Sequence, residues 1–375
     1  MKAPLRVFQV ASGNVGTEMI GRIMGHPDLE LIGLHCYTPE KIGRDVGDIV
    51  GLPPLGIVAT GSVDEIIAAR PDVVTFHGVF PDFDLYERVL EAGINIVTTA
   101  DWITGHHREQ NHPLPSGTSP RIFLEEACRR GDSTFYGTGM NPGLCHILGV
   151  IHTCDVAEIN YVSVTESTDA SCHHSVKSWN ACGFARPVDD PDLPRLLELG
   201  TRVYADGVYL LADCLGVELD GPPEFDYVLG SCTEDIDLGW YFLPAGSLGA
   251  CRLRYVGVVE GIPRIESVIE LAMSTKTDPE VKVRGCYITR IDADPVIYSK
   301  HQILPRPGAD FTTPEALASV GMTVTGMPAL NSLRAVVEAR AGCITSADLP
   351  LRAFAGSLAR TSSERNSPCG SHSQM

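Results

Sequence analysis

The stretch from Leu5 to Ile20, LRVFQVASGNVGTEMI, constrains the fold more than any other part of the chain. Leu5, Val7, Phe8 and Val10 make the short apolar run that a buried strand needs. An A-x-G-x-x-G turn follows, and then Val15, Met19, Ile20 and Ile23 recur at helical spacing. Strand, glycine turn and helix in that order open a dinucleotide-binding unit. Ala11 stands where the first glycine of that fingerprint usually sits. Gly13 is expected to let a pyrophosphate approach the backbone, and Gly16 to let the helix close on the strand. Ala11, Ser12, Gly13, Asn14, Val15 and Gly16 are therefore the first candidate cofactor contacts, with the helix dipole favouring phosphate. The competing reading is an ordinary strand-to-helix turn that needs glycine for packing.

A second strand is expected over 29–36, running into His35-Cys36-Tyr37-Thr38-Pro39-Glu40-Lys41. No acidic residue stands where NAD-selective folds grip the ribose hydroxyls. Thr38, Lys41 and Arg44 could instead meet a 2′-phosphate, so the reading favours NADP(H), with NAD(H) as the alternative. Further strands are expected over 56–60, 72–77, 95–98 and 133–136, alternating with helices over 62–69, 83–92 and 120–130. Ser62 and Glu65 have the spacing of a capping box, and 106–120 reads as a loop. Such alternation gives a parallel sheet covered on both faces, with its ligand crevice beyond the carboxyl ends of the strands. The tips at 11–16, 36–44, 77–81 and 98–104 then share one edge. Thr98 and Thr99 are candidate cofactor contacts there. Asp101 is the candidate catalytic carboxylate, against the plainer reading of a helix cap.

The strand at 133–136 runs into a second glycine-rich turn, Gly137-Thr138-Gly139-Met140-Asn141-Pro142-Gly143. Asn141 is either a cofactor contact or local turn support, and a helix is expected over 143–152. Beyond 157 the period changes. A strand over 159–166 and a helical stretch over 193–215 precede strands near 225–229, 236–243, 249–260, 264–275, 282–291 and 296–303. Sequential strands without intervening helices imply a mixed or antiparallel sheet. The segment from Glu166 to Asn180 is rich in polar and aromatic residues, as a substrate loop would be. Trp102, His173, His174, Trp179 and Asn180 are the candidate substrate contacts; the alternative places the histidines in an exposed loop and Trp179 in the core. A closing helix is expected over 328–341, stopped by Gly342, and 361–375 is expected to be disordered.

Formal charge is −18, from 29 basic and 47 acidic residues, which disfavours nucleic acid and anionic membranes as partners. No apolar run reaches the ~18 residues of a membrane span, and no signal peptide is visible. The 12 cysteines form no C-x-x-C pair, so reduced thiols and a cytoplasmic location are expected. Cys172-His173-His174 matches no common zinc spacing, and no metal is assigned.

The turn Ala11–Gly16, the turn Gly137–Gly143, and the closing Ala329-Leu330-Asn331-Ser332-Leu333, Ala341-Gly342-Cys343-Ile344-Thr345 and Asp348-Leu349-Pro350 together resemble dihydrodipicolinate reductase-like proteins. More narrowly, they resemble the 2,4-diaminopentanoate dehydrogenase and native amine dehydrogenase branch. The resemblance implies an α/β fold: a Rossmann-type doubly wound parallel sheet over 1–145, and an α+β substrate and dimerisation domain with an open mixed or antiparallel sheet over 146–325. A C-terminal helix within 326–355 is then expected to return to the first domain. The implied function is NAD(P)H-dependent oxidoreduction at the C=N or C–NH2 bond of a small amine or imine, by a homodimer. That branch usually carries a Glu after the strand equivalent to 95–98, where this chain offers only Asp101, which leaves carbonyl reduction of a ketone, or a non-catalytic dinucleotide-binding role, as alternatives.

Overall fold

A computed structural model describes residues 3–109, 114, 116–305 and 314–350. The expected disorder over 361–375 lies outside the described residues.

The first sheet begins with β1 (Leu5–Val10), which passes through the glycine turn into α1 (Asn14–Met24). Met19, Ile20 and Ile23 point inward from α1 and are fully buried. Burying each such side chain contributes about 1.5–3 kcal/mol. Then come β2 (Leu29–His35), α2 (Val63–Ala69), β3 (Val73–Phe76), α3 (Phe83–Glu91), β4 (Asn95–Thr98), α4 (Pro120–Gly131) and β5 (Thr134–Gly137). All pairings are parallel, and the strand Gly342–Ile344 adds beside β5 to complete six strands. β1 lies between β2 and β3, so the strand order reverses beside it. That reversal is where a doubly wound sheet opens a ligand crevice.

Two apolar cores cover the two faces. α1 and the long helix Pro314–Val337 pack on one, through Met19, Ile20, Leu330 and Leu333. α3 and α4 pack on the other, through Leu85, Tyr86, Leu124 and Ala127.

The second sheet is seven-stranded and mixed. Its strand Ile159–Asp169 pairs in parallel with Ile262–Ala272 and antiparallel with Cys286–Ala293. One face is covered by the helices Cys145–His152 and Ala205–Leu215, with Val162, Val164, Val208, Leu211 and Leu253 in its core. The other face carries alternating charges: Arg254 pairs with Glu266 at 2.9 Å, and Arg252 with Glu270 at 3.4 Å.

Several local expectations are corrected. Residues 56–60 form only isolated bridges, His35 to Thr60 and Asp45 to Val58, rather than a full strand. Ser62 precedes α2, but its side chain makes no capping bond. Residues His106–Glu109 form a short helix inside the expected loop. The helical stretch expected over 193–215 breaks into Leu193–Thr201 and Ala205–Leu215, joined by a tight turn at Arg202–Tyr204. The closing helix starts at Pro314, well before Pro328, which lies inside it; Gly342 opens a strand instead of capping a helix.

Candidate functional site

At the turn after β1, Ala11 itself takes φ 74°, the left-handed region that glycine would occupy without strain. The buried Gln9 side chain holds this geometry, donating to Ala11 O at 3.0 Å and Gly16 O at 2.7 Å. A Cβ on Gly16 would come within 2.3 Å of Ala11 O, so Gly16 answers to strand–helix packing. A Cβ on Gly13 would meet nothing within 4 Å. The space over Gly13, beside the open helix start at Asn14, is thus free, as a cradle for an anionic group requires. Ser12 lies in the same loop, and its carbonyl and hydroxyl accept from Lys41 Nζ at 3.1 and 3.0 Å. Lys41 is thereby carried from the β2 tip to the glycine turn. Thr38 and Arg44 are exposed on that tip.

Beyond β3, His77 is buried. Its Nδ1 meets Thr99 Oγ1 at 3.0 Å, while its Nε2 has no hydrogen-bond partner. Burial lowers its pKa to about 4, so the ring is neutral near pH 7. His77 escaped the sequence reading, although its place at the end of an apolar strand run was visible. Next to it, Val79 and Phe80 are exposed, and with Tyr37 and Asp82 they line a hollow of about 500 Å³. An orphaned ring nitrogen, an empty cradle at Gly13 and an apolar hollow along one sheet edge fit a dinucleotide.

Thr99 faces this edge, but Thr98 does not. Thr98 is fully buried, its hydroxyl accepting from Ala100 N at 2.9 Å and meeting Tyr86 Oη at 3.2 Å. Trp102 likewise lies in the core, edge-on to Phe135 at 5.4 Å, rather than against a substrate.

Asp101 sits at φ 36°, three residues past the end of β4, and its carboxylate is already engaged. Arg108 pairs with it, and His107 Nε2 lies 3.3 Å from Oδ1. On the other side of His107, Nδ1 is 3.0 Å from Asp206 Oδ2. Asp206 is fully buried and accepts from the backbone N–H groups of Ile103, Thr104, Gly105 and His107 at 2.8–3.2 Å. Burial alone would lower the His107 pKa, but the two flanking carboxylates outweigh it and hold the ring up at about 9. This cluster ties the loop after β4 to the helix Ala205–Leu215.

The turn after β5 leads to the second carboxylate. Gly143 takes φ 135°, a conformation open to glycine. Asn141 Nδ2 donates to Glu166 Oε2 at 2.6 Å, and Cys145 Sγ donates to Asn141 Oδ1 at 3.1 Å. Thr168 Oγ1 donates to Glu166 Oε1 at 3.1 Å. Glu166 faces a cavity of about 440 Å³ also lined by Met140, His173, Tyr204 and Tyr287. Burial raises its pKa, against the two side-chain hydrogen bonds. A more apolar cavity of about 690 Å³, lined by Leu144, Leu148 and Met327, shares Met140, Ile303 and Val324 with the first.

Of the expected substrate residues, His173 lines the smaller cavity. His174 stacks on Trp240 at 4.7 Å, Trp179 donates to His173 O at 2.7 Å while packing on Phe184, and Asn180 accepts from Tyr241 Oη at 2.7 Å. They support the loop rather than line the cavity. From the sequence, Glu166 is expected only as the end of a strand and the start of that loop, with no role of its own. The available signal is its row: with Val162 and Val164 it falls on the inward side of a strand, where a carboxylate is out of place.

No family model matches the chain. An amine dehydrogenase of Streptomyces virginiae is 28% identical over 368 residues, covering 94% of this chain and 98% of that one. The likeness read from the sequence holds over nearly the whole chain. A 2,4-diaminopentanoate dehydrogenase of Acetoanaerobium sticklandii is 22% identical over 367 residues, covering 94% and 95%. Among solved structures, an amine dehydrogenase from Mycobacterium smegmatis shares the fold with a TM-score of 0.72 at 16% identity, covering 93% of this chain and 97% of that one. Among the described residues no helix is long and apolar enough to cross a membrane, and no cluster of ligating side chains could hold a metal.

Proposed function

We infer that the protein is a nicotinamide dinucleotide-dependent oxidoreductase acting on the C–N bond of a small amine. One structural observation carries the reading. The turn Thr138–Gly143 leaves the carboxyl end of β5, beside β4 on the sheet edge that fits a dinucleotide, and its Asn141 bonds the carboxylate in the cavity, which supports a cofactor and a small molecule held near one another. The full-length likeness to amine dehydrogenases supports the choice of bond.

In this reading Ala11–Gly16 hold the pyrophosphate, with Gly13 leaving it room. Tyr37, Val79 and Phe80 offer apolar surface to the adenine. Lys41, already drawn to Ser12, lies with Thr38 and Arg44 where a 2′-phosphate needs positive charge and donors, which favours NADP(H). His77 Nε2 and Thr99 are left to hydrogen-bond the cofactor further along the edge. The bound nicotinamide supplies hydride transfer. The chain's own residues position the amine and manage its proton. The first domain, 1–145, thus binds cofactor, and the second, 146–325, binds substrate. The charged face of the second sheet, with its Arg254–Glu266 and Arg252–Glu270 pairs, is where a second copy would pair.

The test is oxidation of NADPH by the purified protein, with a ketone alone and with the ketone plus ammonia. Ammonia-dependent turnover is expected. Turnover that ignores ammonia would make the protein a carbonyl reductase, and tight NADPH binding with no turnover would leave a sensor.

A further inference from the structure

We propose that Glu166, rather than Asp101, is the carboxylate that binds the substrate's amino nitrogen and takes its proton. The inference rests on the amine reading above and assigns its acid–base group.

A carboxylate withdrawn from water needs a counter-charge or a full set of donors. Asp101 has its counter-charges inside the protein, Arg108 and His107. Glu166 has none among the described residues: its partners are the neutral Asn141 amide and Thr168 hydroxyl. Those two donors fix the carboxylate plane and leave it facing the cavity. Asn141 cannot swing away easily, because Cys145 holds its oxygen. The walls beside Glu166 include Tyr204 and Tyr287, whose ring faces attract a cation. A negative group fixed in position, flanked by aromatic rings and missing its cation, is a receptor for an ammonium group.

In amine oxidation the Glu166 carboxylate takes one N–H proton from the substrate's alkylammonium group, leaving the neutral primary amine. The adjacent C–H bond then breaks, its hydride and both electrons pass to the oxidised nicotinamide, and the nitrogen lone pair forms the C=N bond. The products are the iminium cation, the reduced nicotinamide and a protonated Glu166. In reduction the same proton returns to nitrogen. The titratable groups that line the cavity with Glu166 or adjoin its carboxylate are Cys145, Asp169, Cys172, His173, Tyr204 and Tyr287. Of these, His173 has its pKa lowered, chiefly by burial.

The experiment compares wild type with Glu166→Gln, Glu166→Asp and Asp101→Asn, using 2-aminopentane, cyclohexylamine and benzylamine as probes. Calorimetry without cofactor measures amine binding, and steady-state kinetics with NADP+ follow turnover against pH. We expect Glu166→Gln to weaken binding of the amine at least about tenfold and to lower kcat/KM about 10²-fold or more. NADP+ affinity and near-UV circular dichroism should stay as in wild type. The fall of kcat/KM on the acid side should flatten in Glu166→Gln and return in Glu166→Asp. Wild-type activity on an amine with Glu166→Gln unimpaired, or a larger loss in a folded Asp101→Asn, overturns the assignment while leaving the amine reading intact. Wild type inactive on every amine, yet active on ketone alone, overturns both.

Discussion

The His107 cluster makes a quantitative claim about stability. His107 is enclosed by Asp206 and Asp101, and its ring is held at about 9 against an ordinary 6.5. A group whose pKa is raised by folding stabilises the fold fully below its unfolded value. That contribution disappears as pH rises through the folded value. At 1.36 kcal/mol per pH unit the gap corresponds to about 3 kcal/mol, present at pH 6 and gone by about pH 10. His107 is nearly fully buried, so solvent screening removes little of it. The same coupling, viewed from its partner, pushes Asp206 below the usual carboxylate range despite burial, so the two contributions are not summed. Urea unfolding at pH 6 and pH 10 should therefore show wild type losing about 3 kcal/mol that a His107→Gln variant does not lose. Asp206→Asn should cost about 3–5 kcal/mol at pH 6, because an amide group would face backbone N–H donors and the imidazolium would lose its counter-charge. Parallel pH profiles for wild type and His107→Gln would refute the reasoning, since the charged ring would then contribute nothing to the fold.

Two glycines of one turn should fail differently. Gly13→Val should leave unfolding unchanged while abolishing NADPH binding in a fluorescence titration, because its side chain enters only the cradle. Gly16→Val should lower the unfolding midpoint itself, since its Cβ meets backbone at 2.3 Å. Lys41→Ala with Arg44→Ala should weaken NADPH by about tenfold or more and NADH far less; equal losses would remove the 2′-phosphate reading.

The legible part of the fold is the part whose signals are local. β1, its turn and α1 appear where the apolar spacing puts them, because one buried face dictates each residue. The second sheet was legible as a run of strands, but its parallel pairing between Ile159–Asp169 and Ile262–Ala272 joins segments about a hundred residues apart, and spacing carries no such information. Pro328 misled for the opposite reason. Proline usually marks a helix start, and here the helix packed on α1 tolerates it in mid-course. Trp102 and Thr98 lie near a strand tip in sequence, yet buried neighbours take up both side chains, and only the packed structure names those neighbours.

Asp101 and Glu166 make the same point about function. Sequence placed Asp101 just past β4 and so near the expected crevice, and proximity there is what a catalytic carboxylate requires. Proximity does not say what else the group touches. Arg108 and His107 follow Asp101 closely along the chain and neutralise it, and Asp206, far away in sequence, locks His107 in place. The charge at Asp101 is used in holding the loop after β4 to the helix Ala205–Leu215. Glu166 shows the inverse: its strand position reads as core, but its cation is missing from the described protein. Binding a cationic substrate recovers more free energy at a carboxylate that lacks a counter-ion than at one that must first surrender its own. The acid–base group is therefore sought by asking which carboxylate the fold leaves unpaired, and in this chain that question selects the second domain rather than the edge of the first.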